Sequence, residues 1–169
     1  MFREMRRKDK ALSMEESIEI LKNNEIGVLS TICENGYPYG VPLNYVYLNN
    51  SIYFHCAKEG QKLDNIKACD KVSFCVDCDV ETIPDEFSTK YKCVVLFGKA
   101  SEVSEQEKEE ALLEFIKKYS EQFMNEGKSY IDRAKGTTKV YKINIEHITG
   151  KAQMWENKLI MINLFSYEN

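Results

Sequence analysis

The chain has 169 residues, of which 43% are hydrophobic and 30% are charged, and its formal net charge is −4. This size and composition are typical of one globular domain and exclude a disordered or fibrous chain. The negative net charge argues against nucleic acid as the main partner.

Hydropathy gives no sign of export or membrane insertion. The longest apolar runs, Cys93–Phe97 and Leu159–Ile162, are far shorter than the roughly 20 residues of a spanning helix. No apolar segment follows the basic N-terminal residues, so we expect neither a secretory signal nor a membrane partner. The sequence therefore predicts a cytoplasmic protein.

The chain has six cysteines, and two of them form a Cys-x-x-Cys pair, Cys75 and Cys78. The flanking residues alternate in the manner of a strand, in which positions three apart point to opposite faces and cannot close on one metal ion. We expect free, half-buried thiols rather than disulfides or a metal site.

The first half of the chain predicts a helix followed by three strands. Ser13 and Glu16 form a capping box that opens a helix over about 13–24. The apolar run at 26–33, the long alternation at 37–48 and the run at 51–56 are separated by turn residues at 34–36 and 49–50. This spacing predicts a three-stranded meander.

The second half predicts alternating strands and helices. A helix is expected at Gln61–Cys69, strands at Lys71–Asp79, Lys90–Val103 and Thr138–Ile148, and a helix after the capping box of Ser104 and Glu107. Gly98, inside a strand, predicts a bulge or a close backbone approach. An antiparallel barrel with flanking helices would remove the exposed sheet edges. We expect one domain over 1–169, with the barrel at about 25–150 and a C-terminal tail at 151–169.

The segment Tyr53–Lys62, YFHCAKEGQK, predicts an anion site. A strand delivers His55 to a short break that contains Gly60, and a helix then opens with Gln61 and Lys62. Free amides at a helix start and the helix dipole favour a phosphate, and a lysine adds a full charge. Because the segment has a single glycine, it is neither a Walker loop nor a dinucleotide fingerprint.

The preceding strand predicts a flat surface. Pro42 removes a ladder hydrogen bond and Gly40 removes a side chain, which leaves a low patch of backbone bordered by Asn44. A planar ring on this patch, with a phosphate at the neighbouring helix start, is what flavin mononucleotide (FMN) requires.

Several segments together resemble one family in order and spacing: MFREMRRKDKALS, GVLST, GYPYGVPLNYVY, IYFHCAKEGQKLDNI, KVSFCV and VVLFGKA. They are similar to the nitroimidazole-resistance family, which belongs to the pyridoxamine-phosphate-oxidase-like, FMN-binding split-barrel proteins. The resemblance covers residues 1–103 closely and 138–152 loosely. It implies a mainly β, antiparallel split barrel and a homodimer with FMN at the subunit interface.

The resemblance also implies which residues contact the cofactor. The isoalloxazine would lie on Val41, Pro42, Leu43, Asn44 and Tyr45, the ribityl chain would meet His55, Cys56 and Ala57, and the phosphate would meet Gly60, Gln61 and Lys62. His55 would be the catalytic proton donor. Phe97 and Gly98 are candidates for the second subunit's contribution.

Three functions remain open at this stage. The resemblance implies an FMN-dependent reductase that converts nitroimidazoles or related small molecules to the amine. A flavin-binding protein with another redox or sensing role is the second. The third is a split barrel without cofactor that serves as a binding module, which the intact segment from His55 to Lys62 disfavours.

Overall fold

The computed structural model describes residues 2–153, and eight antiparallel strands in one sheet form its centre. The strands are β1 Ala11–Leu12, β2 Ile26–Ile32, β3 Pro38–Asn44, β4 Val46–Leu48, β5 Ser51–Cys56, β6 Lys71–Ile83, β7 Ser88–Glu102 and β8 Lys139–Gln153. The helices are α1 Met14–Asn23, α2 Gln61–Ala68, α3 Glu105–Ser120 and α4 Met124–Ala134.

The strand order explains how the sheet curls. The strands lie in the order β3-β2-β6-β7-β8-β5-β4, and β1 pairs with β8. The two edge strands, β3 and β4, follow each other in the chain and are separated only by Tyr45. The sheet must therefore bend until its edges meet, and β3 contacts β5 across the gap. This is the antiparallel split barrel with flanking helices that the sequence predicts.

The predicted three-stranded meander is wrong. The alternating run at 37–48 breaks at Tyr45 into two strands, of which β3 pairs with β2 and β4 pairs with β5. Tyr45 is fully buried, and its amide donates to the hydroxyl of Tyr119 instead of to a neighbouring strand. The alternation persists through the break because closing the barrel turns the chain without changing which side faces the core.

Apolar side chains form two layers, one on each side of the sheet. The larger one fills the barrel and includes Leu29, Phe54, Phe74 and Leu96. The second lies between the outer side of β4, β5 and β8 and the helices α3 and α4, and Phe115 is one of its members. Helix α4 was not among the predicted elements.

Three local features agree with the sequence. Ser13 and Glu16 make both hydrogen bonds of a capping box at the start of α1. The ladder between β7 and β8 shifts register at Gly98, where a Cβ atom would overlap the carbonyl oxygen of Asn144. Gly98 is thus both a bulge and a close approach. At α3 only half of the second box forms, because the carboxylate of Glu107 accepts from Tyr53 and Lys142 instead.

Cys75 and Cys78 lie on β6, and the Cys78 side chain packs against the barrel core. All six cysteines are free thiols. Across residues 2–153, no three His, Cys, Asp or Glu side chains come together in a way that could hold a metal ion. Within that range no helix is both long and apolar enough to cross a membrane. Apart from residues 151–153 at the end of β8, the predicted tail lies outside the described residues.

Candidate functional site

The start of helix α2 is the candidate anion site. Gly60 precedes the helix with a φ of +139°, a backbone conformation that side chains other than glycine rarely adopt. The amides of Leu63 and Asp64 donate to the Gly60 carbonyl at 2.8 and 3.2 Å, and no side chain caps the helix. The first amides of a helix have no partner within it, so those of Gln61 and Lys62 are free for a ligand. A Cβ atom at Gly60 would meet nothing within 4 Å, so the chain is not crowded at this residue.

Lys62 supplies the charge at this helix start. Lys62 is half-buried, and its ammonium makes no hydrogen bond or ion pair with any of residues 2–153. Lys139 lies in the same region but is already paired with Glu102, at 2.7 Å. Both lysines act electrostatically on the Cys56 thiol, although burial is the larger effect and raises the pKa of that thiol. Lys62 is therefore a cation that remains available to a phosphate.

A buried amide holds α2 in place. Asn65, of which 1% is exposed, donates from Nδ2 to Oγ1 of Thr31 on β2 at 2.8 Å. Its Oδ1 accepts from Nε2 of Gln61 at 2.8 Å. The first turn of the helix is thus tied to the barrel wall by a satisfied polar chain. Sequence analysis missed Asn65, although a polar residue between the apolar Leu63 and Ile66 was a usable signal.

Strand β3 has a free edge with a defined backbone pattern. The amide of Cys33 donates to the carbonyl of Tyr37 at 2.8 Å, which sets the phase of the hairpin between β2 and β3. Since this pattern alternates along an antiparallel pair, the odd-numbered residues of β3 bond to β2. The even-numbered residues direct their backbone groups to the free edge, which therefore offers the carbonyls of Pro38, Gly40 and Pro42. The amides of Gly40 and Asn44 lie between these carbonyls.

The side chains of β3 divide between solvent and core. Pro42 and Asn44 are exposed, as the flat patch requires. Val41 and Leu43 pack their side chains against the barrel core and bond through their backbone groups to β2, so neither presents a polar group on the free edge. Tyr45 is fully buried, and its hydroxyl has no hydrogen-bond partner among the described residues.

His55 lies at the end of β5, opposite Val140 of β8. Its ring is exposed on one side and meets Phe115 of α3 edge-on, with ring centroids 4.8 Å apart. Partial burial and the charge of Lys62 lower the pKa of His55, so its imidazole is mainly neutral at pH 7. Cys56, the next residue, faces the core. Ala57 is exposed in the loop before α2.

The two halves of the site meet at the split in the barrel. Val46 of β4 lies opposite Tyr53 of β5. Two residues further along the same register are Asn44, the last residue of β3, and His55 of β5. β3 contacts β5 there. The free edge of β3 and the end of β5 are thus neighbours, and only residues 57–60 separate β5 from α2; the region between these three elements is called the groove below.

Residues 13–152 match the family model described as pyridoxamine 5'-phosphate oxidase. A search of curated proteins gives no match.

Solved structures show the same fold. One is a candidate 5-nitroimidazole antibiotic resistance protein from Bacteroides thetaiotaomicron, which is 23% identical, with 84% of this chain and 86% of that chain covered and a TM-score of 0.72. An FAD-binding protein from Mesorhizobium loti is 22% identical, with coverages of 86% and 98% and a TM-score of 0.63. A conserved hypothetical protein from Mycobacterium tuberculosis is 19% identical, with coverages of 91% and 98% and a TM-score of 0.76. At these identities the likeness concerns the fold alone.

Proposed function

Because this chain belongs to the pyridoxamine 5'-phosphate oxidase family, we propose that it is an FMN-binding flavoprotein that reduces nitroimidazoles or related small molecules. The observation that carries the proposal is the open start of α2, with the unpaired Lys62, beside the free edge of β3. The similarity to the candidate 5-nitroimidazole resistance protein supports nitroimidazoles as the substrate class.

The groove fits FMN in its chemistry. The free amides at the start of α2 and the charge of Lys62 suit the phosphate. The free edge of β3 offers carbonyls that suit the N3–H of an isoalloxazine and the amides of Gly40 and Asn44, which suit its carbonyl oxygens. The exposed backbone at Gly40 and Pro42 gives the ring a surface without bulky side chains. When bound, FMN supplies the reversible uptake of electrons that no side chain in the groove provides.

The proposed contacts follow from these fits. The exposed Pro42 and Asn44, with their free backbone groups, hold the ring. Val41, Leu43 and Tyr45 fix this edge through their backbone bonds to β2 and α3. His55, Cys56 and Ala57 flank the ribityl chain, with Cys56 contributing backbone because its side chain faces the core. Gly60, Gln61 and Lys62 hold the phosphate.

His55 is the proposed proton donor to the substrate. Its lowered pKa means that the imidazolium form is scarce at neutral pH and increases as the pH falls. Reduction that depends on this proton should accelerate as the pH drops below the ordinary histidine pKa of about 6.5.

A homodimer completes the proposal. The outer side of β2, β6 and β7 exposes apolar side chains, including Ile26, Ile32 and Phe97. Ile32 and Phe97 line one depression on this side, and an exposed apolar surface is typical of a protein interface. Phe97 would meet the partner subunit there, whereas Gly98 is buried and takes part in the bulge.

Visible absorbance tests the cofactor. The purified protein is titrated with FMN and, in parallel, with FAD, because a relative of the same fold is described as FAD-binding. We expect about one flavin per chain and tighter binding of FMN. A protein that ignores both flavins would overturn the proposal and leave the binding-module function.

Anaerobic reoxidation tests the substrate. The flavoprotein is reduced with dithionite, freed of excess reductant and mixed with 2-methyl-5-nitroimidazole at one third of the flavin concentration, because each reduced flavin gives two electrons and conversion of the nitro group to the amine takes six. Return of the oxidised flavin spectrum with formation of the amine supports the reductase. A bound flavin that the nitro compound does not reoxidise would favour the second function, a flavoprotein with another redox or sensing role.

A further inference from the structure

One face of helix α3 contacts both sides of the groove. Phe115, Lys118 and Tyr119 are three and four residues apart, so their side chains emerge from the same side of the helix. Phe115 meets the ring of His55 edge-on and stacks on Tyr119, with ring centroids 4.8 and 5.9 Å apart. Tyr119 and Lys118 reach Tyr45 at the other side.

The hydroxyl of Tyr119 is bonded to the backbone on both sides of the strand break. It accepts a hydrogen bond from the amide of Tyr45 at 3.1 Å. Its oxygen also lies 2.7 Å from the Tyr45 carbonyl and 2.6 Å from the Glu25 carbonyl, and its single proton is donated to one of these two. The break in the strand is therefore satisfied by a side chain of α3.

Lys118 reinforces the same point. Its Nζ donates to the carbonyls of Asn24 at 2.5 Å and Tyr45 at 3.1 Å. The ammonium lies 4.2 Å from the centre of the Tyr45 ring, within the range of a cation–π contact. The charge of Glu25 acts on this ammonium as well. Both carbonyls belong to connecting segments rather than to a strand ladder.

We propose that Tyr119 and Lys118 are positioning residues that hold Tyr45, and through it the edge Val41–Asn44, at the place where the flavin ring binds. The proposal rests on the proposed function for its ligand. Its structural basis is that β3 pairs with β2 alone, so the end of β3 is held on one side by a ladder, while the hydrogen bonds to Tyr45 beyond that end come from α3. The contact between Phe115 and His55 ties the opposite side of the groove to the same helix.

Two substitutions and two controls test this role. Tyr119→Phe removes the hydroxyl while keeping the ring. Lys118→Met removes the ammonium and its two hydrogen bonds while keeping the apolar stem. The control Tyr130→Phe removes the hydroxyl of a tyrosine that is 62% exposed on α4. The control Lys117→Met removes an exposed lysine one position away on α3.

The affinity for FMN and the visible circular dichroism of the bound flavin are measured at urea concentrations where every variant is folded. We expect Tyr119→Phe and Lys118→Met to weaken FMN binding by about tenfold and to change the dichroism of the flavin, with both controls unchanged. Unchanged affinity and dichroism, together with a lower urea midpoint, would show that these residues only pack the helix and would overturn the proposal.

Amide hydrogen exchange, followed by NMR in the flavin-free protein, gives a readout that does not depend on the proposed function. Loss of the Tyr119 hydroxyl should speed exchange of the Tyr45 amide and of β3 at least tenfold relative to β6. If the wild-type protein binds no flavin but this selective change appears, the proposed function fails while the role of α3 in fixing β3 stands. Exchange that is unchanged, or that rises equally in β3 and β6, would overturn that role.

Discussion

At the scale of single residues, Lys62 is the charge on which the proposed phosphate site depends. Lys62→Glu places a second negative charge beside the phosphate, so we expect FMN affinity to fall by about 100-fold, in line with a lost charged hydrogen bond of roughly 1.5–3 kcal/mol. Lys67→Glu is the matched control, because Lys67 is exposed in the last turn of the same helix. Flavin titration measures both, and normal FMN binding by Lys62→Glu would refute the phosphate assignment.

Lys118 gives a dependence of stability on pH with a defined sign. Its burial lowers the pKa to about 8 from 10.5. Between these values the unfolded chain binds more protons than the folded one, so this residue makes the free energy of unfolding rise with pH. We expect wild type to gain stability relative to Lys118→Met from pH 8 to 10, measured by urea unfolding. The difference in the free energy of unfolding between the two proteins removes the contribution of cysteines and tyrosines that titrate in both. A difference that does not change with pH would contradict the lowered pKa of Lys118.

The residues of the candidate site were predictable where a local rule acts on them. Gly60 and Lys62 stand at a helix start, and Pro42 stands in an edge strand, so each has a recognisable neighbourhood in the sequence. The direction of a side chain was harder to predict, because alternation shows which residues share a face of a strand but not which face is directed to the core. Cys56 and Tyr45 are thus neighbours of candidate site residues in the chain, but their side chains are buried. Tyr119 gave no signal, since it acts on residues 74 positions away.

At the scale of elements, strand propensity located the strands but not their partners. The run at 37–48 was read as one strand because its alternation is unbroken. The break at Tyr45 is imposed by closure of the barrel and by hydrogen bonds from α3, and both are long-range. Helix α4 escaped notice because its apolar side is short, with Gly127 and Ile131 as its buried members.

The bulge at Gly98 yields a prediction at this scale. A Cβ atom there would overlap the Asn144 carbonyl and lie 2.9 Å from Cγ2 of Ile143, so β7 and β8 would have to separate. We expect Gly98→Ala to lower the free energy of unfolding by about 2–3 kcal/mol, as overpacking does. Gly136→Ala is the control, since nothing lies within 4 Å of its Cβ position. Urea unfolding compares the two, and equal stabilities would contradict the close approach.

At the scale of the whole molecule, the outer apolar surface predicts a dimer. Ile32 is 45% exposed on that surface, and Phe123 is 54% exposed on the short turn between α3 and α4. We expect wild type to be dimeric, Ile32→Glu to be monomeric because a charge at an apolar interface is costly, and Phe123→Glu to remain dimeric. Sedimentation velocity decides, and a monomeric wild type that still binds flavin would count against the two-subunit site.

The architecture as a whole was the most predictable part. Many strands, short turns and two helix starts leave few ways to bury an antiparallel sheet, and the resemblance selected the split barrel among them. Strand order was beyond reach, because the partners of β8 are set by contacts across most of the chain.

The two prolines of β3 have a consequence for solubility as well as for ligand binding. An unpaired strand edge is a template on which identical chains can add and polymerise. Pro38 and Pro42 present no amide hydrogen on that edge, so a second strand would find acceptors there but few donors. The edge is thereby protected from amyloid-like growth while its carbonyls stay accessible, so the chain can remain dispersed at high concentration.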